Sequence, residues 1–261
     1  MAADSHPMPT YPDLAGKVAV VTGGSKGIGA ATCRLLGKQG SAVVVSGRDQ
    51  AAIESVVDDI TRAGGRATGV IADCLDLEAL TKLRERTESE FGPADILIAY
   101  AGGFSAYTPV QDMAEAEWRS VVDANLTTTF LAVRIFLPGM IERRRGSIVT
   151  MASNAARFLD ILTTAPYAAS KAAVVMFTRH LAKEVGAHNV RANCIAPATV
   201  LSDRVRRLMS DSRMAEVAAM SPLGRLGVPD DVALATLFLV SDSSSWLTGV
   251  TLDVAGGRIM L

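Results

Sequence analysis

The sequence predicts an α/β fold, a doubly wound parallel sheet with helices on both faces, in a single domain. Two observations carry that expectation. Short apolar runs rich in Val and Ile alternate with longer stretches of helical period along the whole chain, and no linker, repeat or low-complexity segment divides its 261 residues. Runs that are apolar on both faces are the habit of parallel strands covered by helices on each side. α/β domains of this length commonly stay undivided.

The elements follow in order. KVAVV, from residue 17, is the first strand; it ends in VTGGSKGIGAA and leads into a helix over 27–39. AVVVS (42–46) precedes a helix over 50–63, ATGVIA (67–72) one over 77–91, and ADILIA (94–99) a long one over 115–143. GSIVTMA (146–152), VRANCIA (190–196) and TLDVA (251–255) complete the strands, with helices over 167–185 and 229–240 between them. The stretch FLAVRIFL (130–137) is apolar nearly all round, as is much of the helix after Tyr167. A surface helix shows a polar face, so these helices are wrapped by their own domain or covered by another subunit.

Composition excludes several classes. A formal net charge of −1 gives no basic footprint for a nucleic-acid binder, and ERRRG (142–146) reads as a solvated helix end. Three well-separated cysteines with no CxxC fit reduced thiols in a cytoplasm. The three histidines are not spaced for a metal. Residues 1–14, polar and broken by three prolines, lack the make-up of a signal peptide and read as a loose, flexible tail ahead of a domain over 15–261. The apolar run VALATLFLV (232–240) is about half of a membrane span, so no membrane partner is expected.

Gly23, Gly27 and Gly29 fall where the first strand turns into a helix. There the backbone can approach a ligand closely and free N–H groups can meet a phosphate. The spacing GxxxGxG departs from the usual dinucleotide fingerprint. An NTPase loop fails because Gly16-Lys17 and Gly37-Lys38 are followed by Val18 and Gln39. GGSKG also matches a hydrolase elbow at Ser25, but only His180 and His188 follow it, both in or at the end of one helical stretch. Further on, Tyr167 and Lys171 are spaced i, i+4, which places them one above the other on a helix. Alone, the pair also suits a lysine stem lying over apolar surface beside a packed tyrosine.

From about Lys17 to Gly257 the chain resembles the short-chain dehydrogenase/reductase family. The motifs that carry the resemblance are TGGSKGIG (22–29), Asp73 after the third strand, AGG (101–103) after the fourth, NL at Asn125, Ser153 after the fifth, YAASK (167–171), NCIAPATVLS (193–202) and the C-terminal PLGRLGVPDDVA, TG and LDVAGG. It looks most like the 3-oxoacyl-carrier-protein reductase branch and its carbonyl-reductase relatives. The resemblance implies a Rossmann-type domain with a seven-stranded sheet, a bound nicotinamide dinucleotide and a homotetramer.

The resemblance also assigns roles. Tyr167 supplies a proton to the alkoxide formed by hydride transfer. Lys171 favours its ionisation and binds the nicotinamide ribose; a unit charge about 4 to 5 Å away is worth roughly 3 to 4 kcal/mol at an effective dielectric near 20. Ser153 hydrogen-bonds the substrate oxygen, and Asn125 holds a relay water. Against these stand plainer readings, Ser153 as a strand-end residue and Asn125 as a helix residue bonded to its own backbone. The implied cofactor contacts are Gly23, Ser25, Lys26, Gly27, Ile28, Gly29, Arg48, Asp73, Cys74, Tyr100, Ala101, Gly102, Tyr167, Lys171, Pro197, Val200 and Ser202.

Departures from the family pattern point to a divergent member. Ala99 and Tyr100 replace Asn-Asn, Ala198 replaces Gly after Pro197, Ala255 stands where Asp is common, and one extra residue separates Ser153 from Tyr167. The family's acidic NAD-selecting position falls on Gly47, and Asp49 is placed to cap the next helix. Arg48 and Lys26 are positioned to share a 2′-phosphate, so NADP(H) is the expected cofactor. The expected activity is reduction of a ketone or 3-oxoacyl carbonyl, an acyl thioester on a carrier included. Alternatives are a dehydrogenase of a small alcohol, sugar or cyclic ketone, and a non-catalytic dinucleotide sensor. Specificity is expected from the lid over 202–220, with Arg204, Arg206 and Arg207, and from the loop over 104–112.

Overall fold

The computed structural model describes residues 9–103, 107–158 and 163–260, with the backbone alone at Arg204. Strands β1 (Val18–Thr22), β2 (Ala42–Gly47), β3 (Arg66–Ile71), β4 (Ile96–Ala99), β5 (Gly146–Met151), β6 (Val190–Pro197) and β7 (Thr251–Val254) form one sheet. All neighbours pair in parallel, in the order β3-β2-β1-β4-β5-β6-β7. The helices are α1 (Gly27–Lys38), α2 (Gln50–Arg62), α3 (Leu77–Phe91), α4 (Glu115–Val122), α5 (Thr128–Arg143), α6 (Ala165–Val185), α7 (Asp203–Leu208), α8 (Asp211–Ala219) and α9 (Pro229–Val240). The order reverses between β1 and β4, and a crevice for a ligand opens at such a point beyond the carboxyl ends of the strands.

Alternation along the strands builds the two covering layers. Val21, Val43, Val45, Ile96 and Ile98 face α1, α2 and α9, where they pack with Leu36, Ile53 and Leu237. Val20, Val44, Leu97 and Ile148 face α3, α5 and α6, where Leu80, Phe136 and Leu181 close the second core. The expectation that every strand is buried on both faces needs correction at the sheet edges. β3 alternates between exposed and half-buried residues, and β7 is half-buried throughout. An edge strand has a neighbour on only one side.

Two further expectations are modified. Residues 9–14, expected in the loose tail, dock on the domain: Leu14 is fully buried, Tyr11 N–H donates to Gln39 Oε1 at 2.8 Å, and Gln39 Nε2 donates to the Pro9 carbonyl at 3.0 Å. Residues 1–8 lie outside the described residues. The expected helix over 115–143 is α4 and α5 joined by a π-helical turn at Asp123–Thr127. At 29 residues it is the one described helix long and apolar enough by composition to cross a membrane. Counting only uninterrupted apolar runs passed over it, because Arg134 divides the stretch. Its Val133, Phe136 and Met140 lie in the core beneath β4 and β5, as befits a helix covering a sheet.

Tyr100 shows how the chain accommodates its unusual residue after β4. Its side chain continues the face of Ile96 and Ile98 into the first core, and its hydroxyl meets Thr236 Oγ1 of α9 at 2.5 Å. Burial pushes the phenol well above its ordinary range. The ring therefore faces away from the crevice, and the central sheet is supported by an aromatic group. Tyr100→Phe should cost only about 1 kcal/mol, since Thr236 also donates to the Val232 carbonyl. Tyr100→Ala leaves a core cavity and should cost about 3–5 kcal/mol. Urea unfolding of the two variants measures both numbers; equal losses would show that the hydroxyl, not the ring, supports the sheet.

Candidate active site

The turn from β1 to α1 forms one wall of the crevice. Gly23 and Gly27 adopt φ of +67° and +52°, which L side chains rarely reach. A Cβ on Gly29 would lie 2.1 Å from the Gly23 carbonyl oxygen, and one on Gly23 would lie 2.9 Å from Ala101 N. The turn is thus closed against both the start of α1 and the backbone after β4. Lys26, at the N-cap of α1, offers no side-chain cap, so the first-turn N–H groups of Gly27, Ile28 and Gly29 are left to a ligand such as a pyrophosphate. Glycines where side chains would collide, beside an uncapped helix start, fit the dinucleotide that the motif implies.

Gly47 closes β2 beside that turn; a Cβ there would meet Ser25 Oγ at 2.7 Å. Asp49 caps α2 by accepting from Ala52 N at 3.2 Å, as expected, and its other oxygen pairs with Lys26 Nζ at 2.6 Å. The Lys26 ammonium, with the Ala52 N–H, holds the Asp49 carboxyl below the usual carboxylate range. Arg48 lies 3.8 Å from Asp73 Oδ2, and Asp73 also accepts from Leu75 N. Both cations expected at a 2′-phosphate thus have carboxylate partners. Cys74 is buried, and burial pushes its thiol up to about 11. On the far side, Ser202 caps α7 by accepting from Val205 N, and its Cβ lies 3.7 Å from the position of a Cβ on Gly27. Pro197 is the buried last residue of β6, and Val200, also buried, pairs with Gly227 in an isolated bridge.

The deeper part of the crevice gathers the remaining candidates at the carboxyl ends of β4 and β5 and in the first turns of α6. Lys171 is almost wholly buried; its ammonium donates to the Met151 carbonyl at 2.8 Å and sits 5.5 Å from the Tyr167 ring centroid. Burial lowers it to about 8. Tyr167 is half-buried on the same face, as the i, i+4 spacing requires. Ser153 Oγ accepts from Ala155 N and donates to Asn154 Oδ1 at 3.1 Å. Asn125, in the π-helical turn, exchanges hydrogen bonds with both backbone groups of Gly103 and donates to the Val121 carbonyl at 2.8 Å. That last bond is the helix-backbone role weighed above. A Cβ on Gly102 would meet Asn125 Oδ1 at 2.7 Å and Lys171 Nζ at 3.4 Å, so Gly102 lies where these two groups meet.

Sequence reasoning passed over Gly103 and Arg157. Gly103 is pinned by Asn125, and only the AGG motif hinted at it. Arg157 follows the short turn that Ser153 begins, and its guanidinium pairs with Asp253 of β7 at 3.0 Å, tying that turn across the sheet. No spacing rule signals a pair 96 residues apart. Residues 104–106 of the expected specificity loop, residues 159–162 and the Arg204 side chain lie outside the described residues. The segment expected to act as a lid forms α7 and α8, with Arg206, Arg207 and Leu208 exposed.

Comparison with known proteins places this geometry. The short chain dehydrogenase family model matches residues 17–213. A 3-oxoacyl-(acyl-carrier-protein) reductase of Chlamydia pneumoniae is 36% identical over 244 residues, 94% of this chain and 97% of the relative. The cis-4-hydroxycyclohexanecarboxylate dehydrogenase of Sinomonas cyclohexanicum is 38% identical over 248 residues, 94% of this chain and 97% of that enzyme. A crystal structure of a 3-oxoacyl-(acyl-carrier protein) reductase from Brucella melitensis superposes with a TM-score of 0.93 at 33% identity and covers 98% of both chains. A second structure of such a reductase from that organism, with bound NAD, has a TM-score of 0.90 at 33% identity and the same coverage of both chains.

Proposed function

We propose a specific reaction for this chain, which belongs to the short-chain dehydrogenase family and is an oxidoreductase: reduction of a ketone, 3-oxoacyl type included, to a secondary alcohol with NADPH. One observation carries the proposal. The ammonium of Lys171, buried and held by the Met151 carbonyl, stands over the ring of Tyr167. Gly23, Gly27 and Gly29 of the β1–α1 turn, with Gly102, would hold the dinucleotide, whose chemistry when bound would be hydride donation. Tyr167 donates the proton to the developing alkoxide, and the positive charge of Lys171 favours the phenolate that results. Ser153 takes the carbonyl oxygen, exchanging its bond to Asn154 for one to substrate. Asn125 keeps Gly103 and the turn around Gly102 in place beside Lys171. Run in reverse, the same groups oxidise a small cyclic or open-chain alcohol, the direction named for the Sinomonas relative.

The 2′-phosphate of NADPH is assigned to Lys26 and Arg48, because Gly47 presents no carboxylate to a ribose 2′-hydroxyl. A cytoplasmic homotetramer is part of the proposal. The outer face of α5 and α6 carries an apolar groove of about 530 Å³ lined by Phe130, Leu137, Ile141 and Phe177. Phe130 stands exposed in that groove and Met176 stands exposed elsewhere on α6, apolar surface that a second subunit would cover. Leu261, the last residue of the apolar C-terminus expected to join the interface, lies outside the described residues.

Four measurements test this. Tyr167→Phe keeps the ring and removes the proton; kcat for ketone reduction should fall by about 10²–10⁴ with little change in cofactor affinity. For the unmutated protein, kcat/KM for reduction should decline as pH rises through about 8, where Lys171 loses its proton. Turnover by the variant within threefold of the parent would refute the role of Tyr167. NADPH should be preferred over NADH by at least about tenfold in kcat/KM, and Gly47→Asp with Arg48→Ala should erase or reverse that ratio once Ser25 rotates out of the way. Equal use of both cofactors by the parent rules out the cation reading. Light scattering at micromolar concentration should give four times the monomer mass; a stable monomer contradicts the assembly.

A further inference from the structure

We propose that Asp49 limits the selectivity of this site for a 2′-phosphorylated dinucleotide: its carboxylate occupies Lys26, and a 2′-phosphate reaches that ammonium only by displacing it. This deepens the reading above and rests on it.

Two ion pairs stand beyond the ends of β1, β2 and β3, each a cation matched by a carboxylate. Lys26 is paired with Asp49 at 2.6 Å, and Arg48 faces Asp73 at 3.8 Å. The acidic group that a NAD-type site holds at the end of its second strand is absent at Gly47, but a carboxylate stands two residues further on, at the start of α2. One oxygen is fixed by the cap to Ala52 N and the other by Lys26. A 2′-phosphate entering between the cations gains two charge-assisted bonds but meets the charge of Asp49, a few ångströms from the ammonium it seeks. A 2′-hydroxyl meets no repulsion there and can donate to the same carboxylate. Asp49 therefore favours the unphosphorylated dinucleotide while its neighbours favour the phosphorylated one. The Asp49–Lys26 pair is exposed at both partners, so breaking it is a modest cost that reduces the preference for the phosphorylated dinucleotide without removing it.

Asn is as good a helix N-cap as Asp, so Asp49→Asn removes the charge and keeps α2 started. Calorimetric titration with adenosine 2′,5′-bisphosphate and with 5′-AMP reads the effect without turnover. Asp49→Asn should tighten the bisphosphate by about three- to tenfold, leave 5′-AMP within about twofold, and lose most of the gain in 0.5 M salt. Lys26→Met should weaken the bisphosphate and leave 5′-AMP alone. If Lys26→Met weakens the bisphosphate while Asp49→Asn leaves it unchanged or weaker, the role of Asp49 is overturned and the 2′-phosphate site stands. If Lys26→Met and Arg48→Ala both leave it unchanged, the 2′-phosphate site itself falls, and the role of Asp49 with it.

Discussion

The close approach of backbone to backbone at the end of β1 sets the position of nearly everything else in the crevice. With Gly29 against the Gly23 carbonyl and Gly23 against the Ala101 amide, the first turn of α1, the end of β1 and the chain leaving β4 meet without side chains between them. Any Cβ at Gly29 would force α1 off the sheet, taking with it the N–H groups aimed across the switch point between β1 and β4. On one side the turn reaches Gly47 through Ser25; on the other, Gly27 faces Ser202 at the start of α7. The nucleotide wall and the entrance to the lid are therefore positioned by a single contact whose geometry only glycine permits.

What lies behind that wall is free to vary. Tyr100 gives its backbone to the turn and its side chain to the opposite core, where Thr236 receives it. Asn125 does the complementary work in front, taking up both backbone groups of Gly103 from a π-helical turn. A π-helical turn inside a long helix leaves the i→i−4 ladder locally unmet and is often found where a side chain must be aimed. The two residues fix the segment after β4 from both sides, so a bulky aromatic can replace a small amide behind it without moving Gly102.

Most of the fold was legible because the strands are largely continuous apolar runs and several helices carry a start signal: Asp49 before α2, Asp76 before α3 and Pro166 in the first turn of α6. The pairing of Tyr167 with Lys171 followed from helix geometry alone. The inward turn of Tyr100 was also readable, since Ile96, Ile98 and Tyr100 share a face by simple alternation, but attention to family departures obscured it. The rest depends on contacts distant in sequence. Tyr11 docks on Gln39 through its backbone N–H, Lys26 finds Asp49, and Arg157 crosses the sheet to Asp253; in each case the chain shows two suitable groups and nothing that says they meet. The half-exposed edges, β3 and β7, were misjudged for a related reason, because a strand's place in the sheet is a property of the topology and not of its own residues.

Lys171 brings the energetics and the chemistry together. Burial alone opposes its charge and lowers it to about 8, and its partner is a carbonyl, not a carboxylate. A carboxylate would have restored the charge cheaply and cancelled its field in doing so. A carbonyl holds the ammonium in place and leaves most of that field to act on Tyr167 in a region of low dielectric. The neighbouring Cys194, pushed up by its own burial, stays a neutral thiol and does not quench it either. The fold thus accepts a destabilising buried cation beside Tyr167, the residue proposed above as the proton donor.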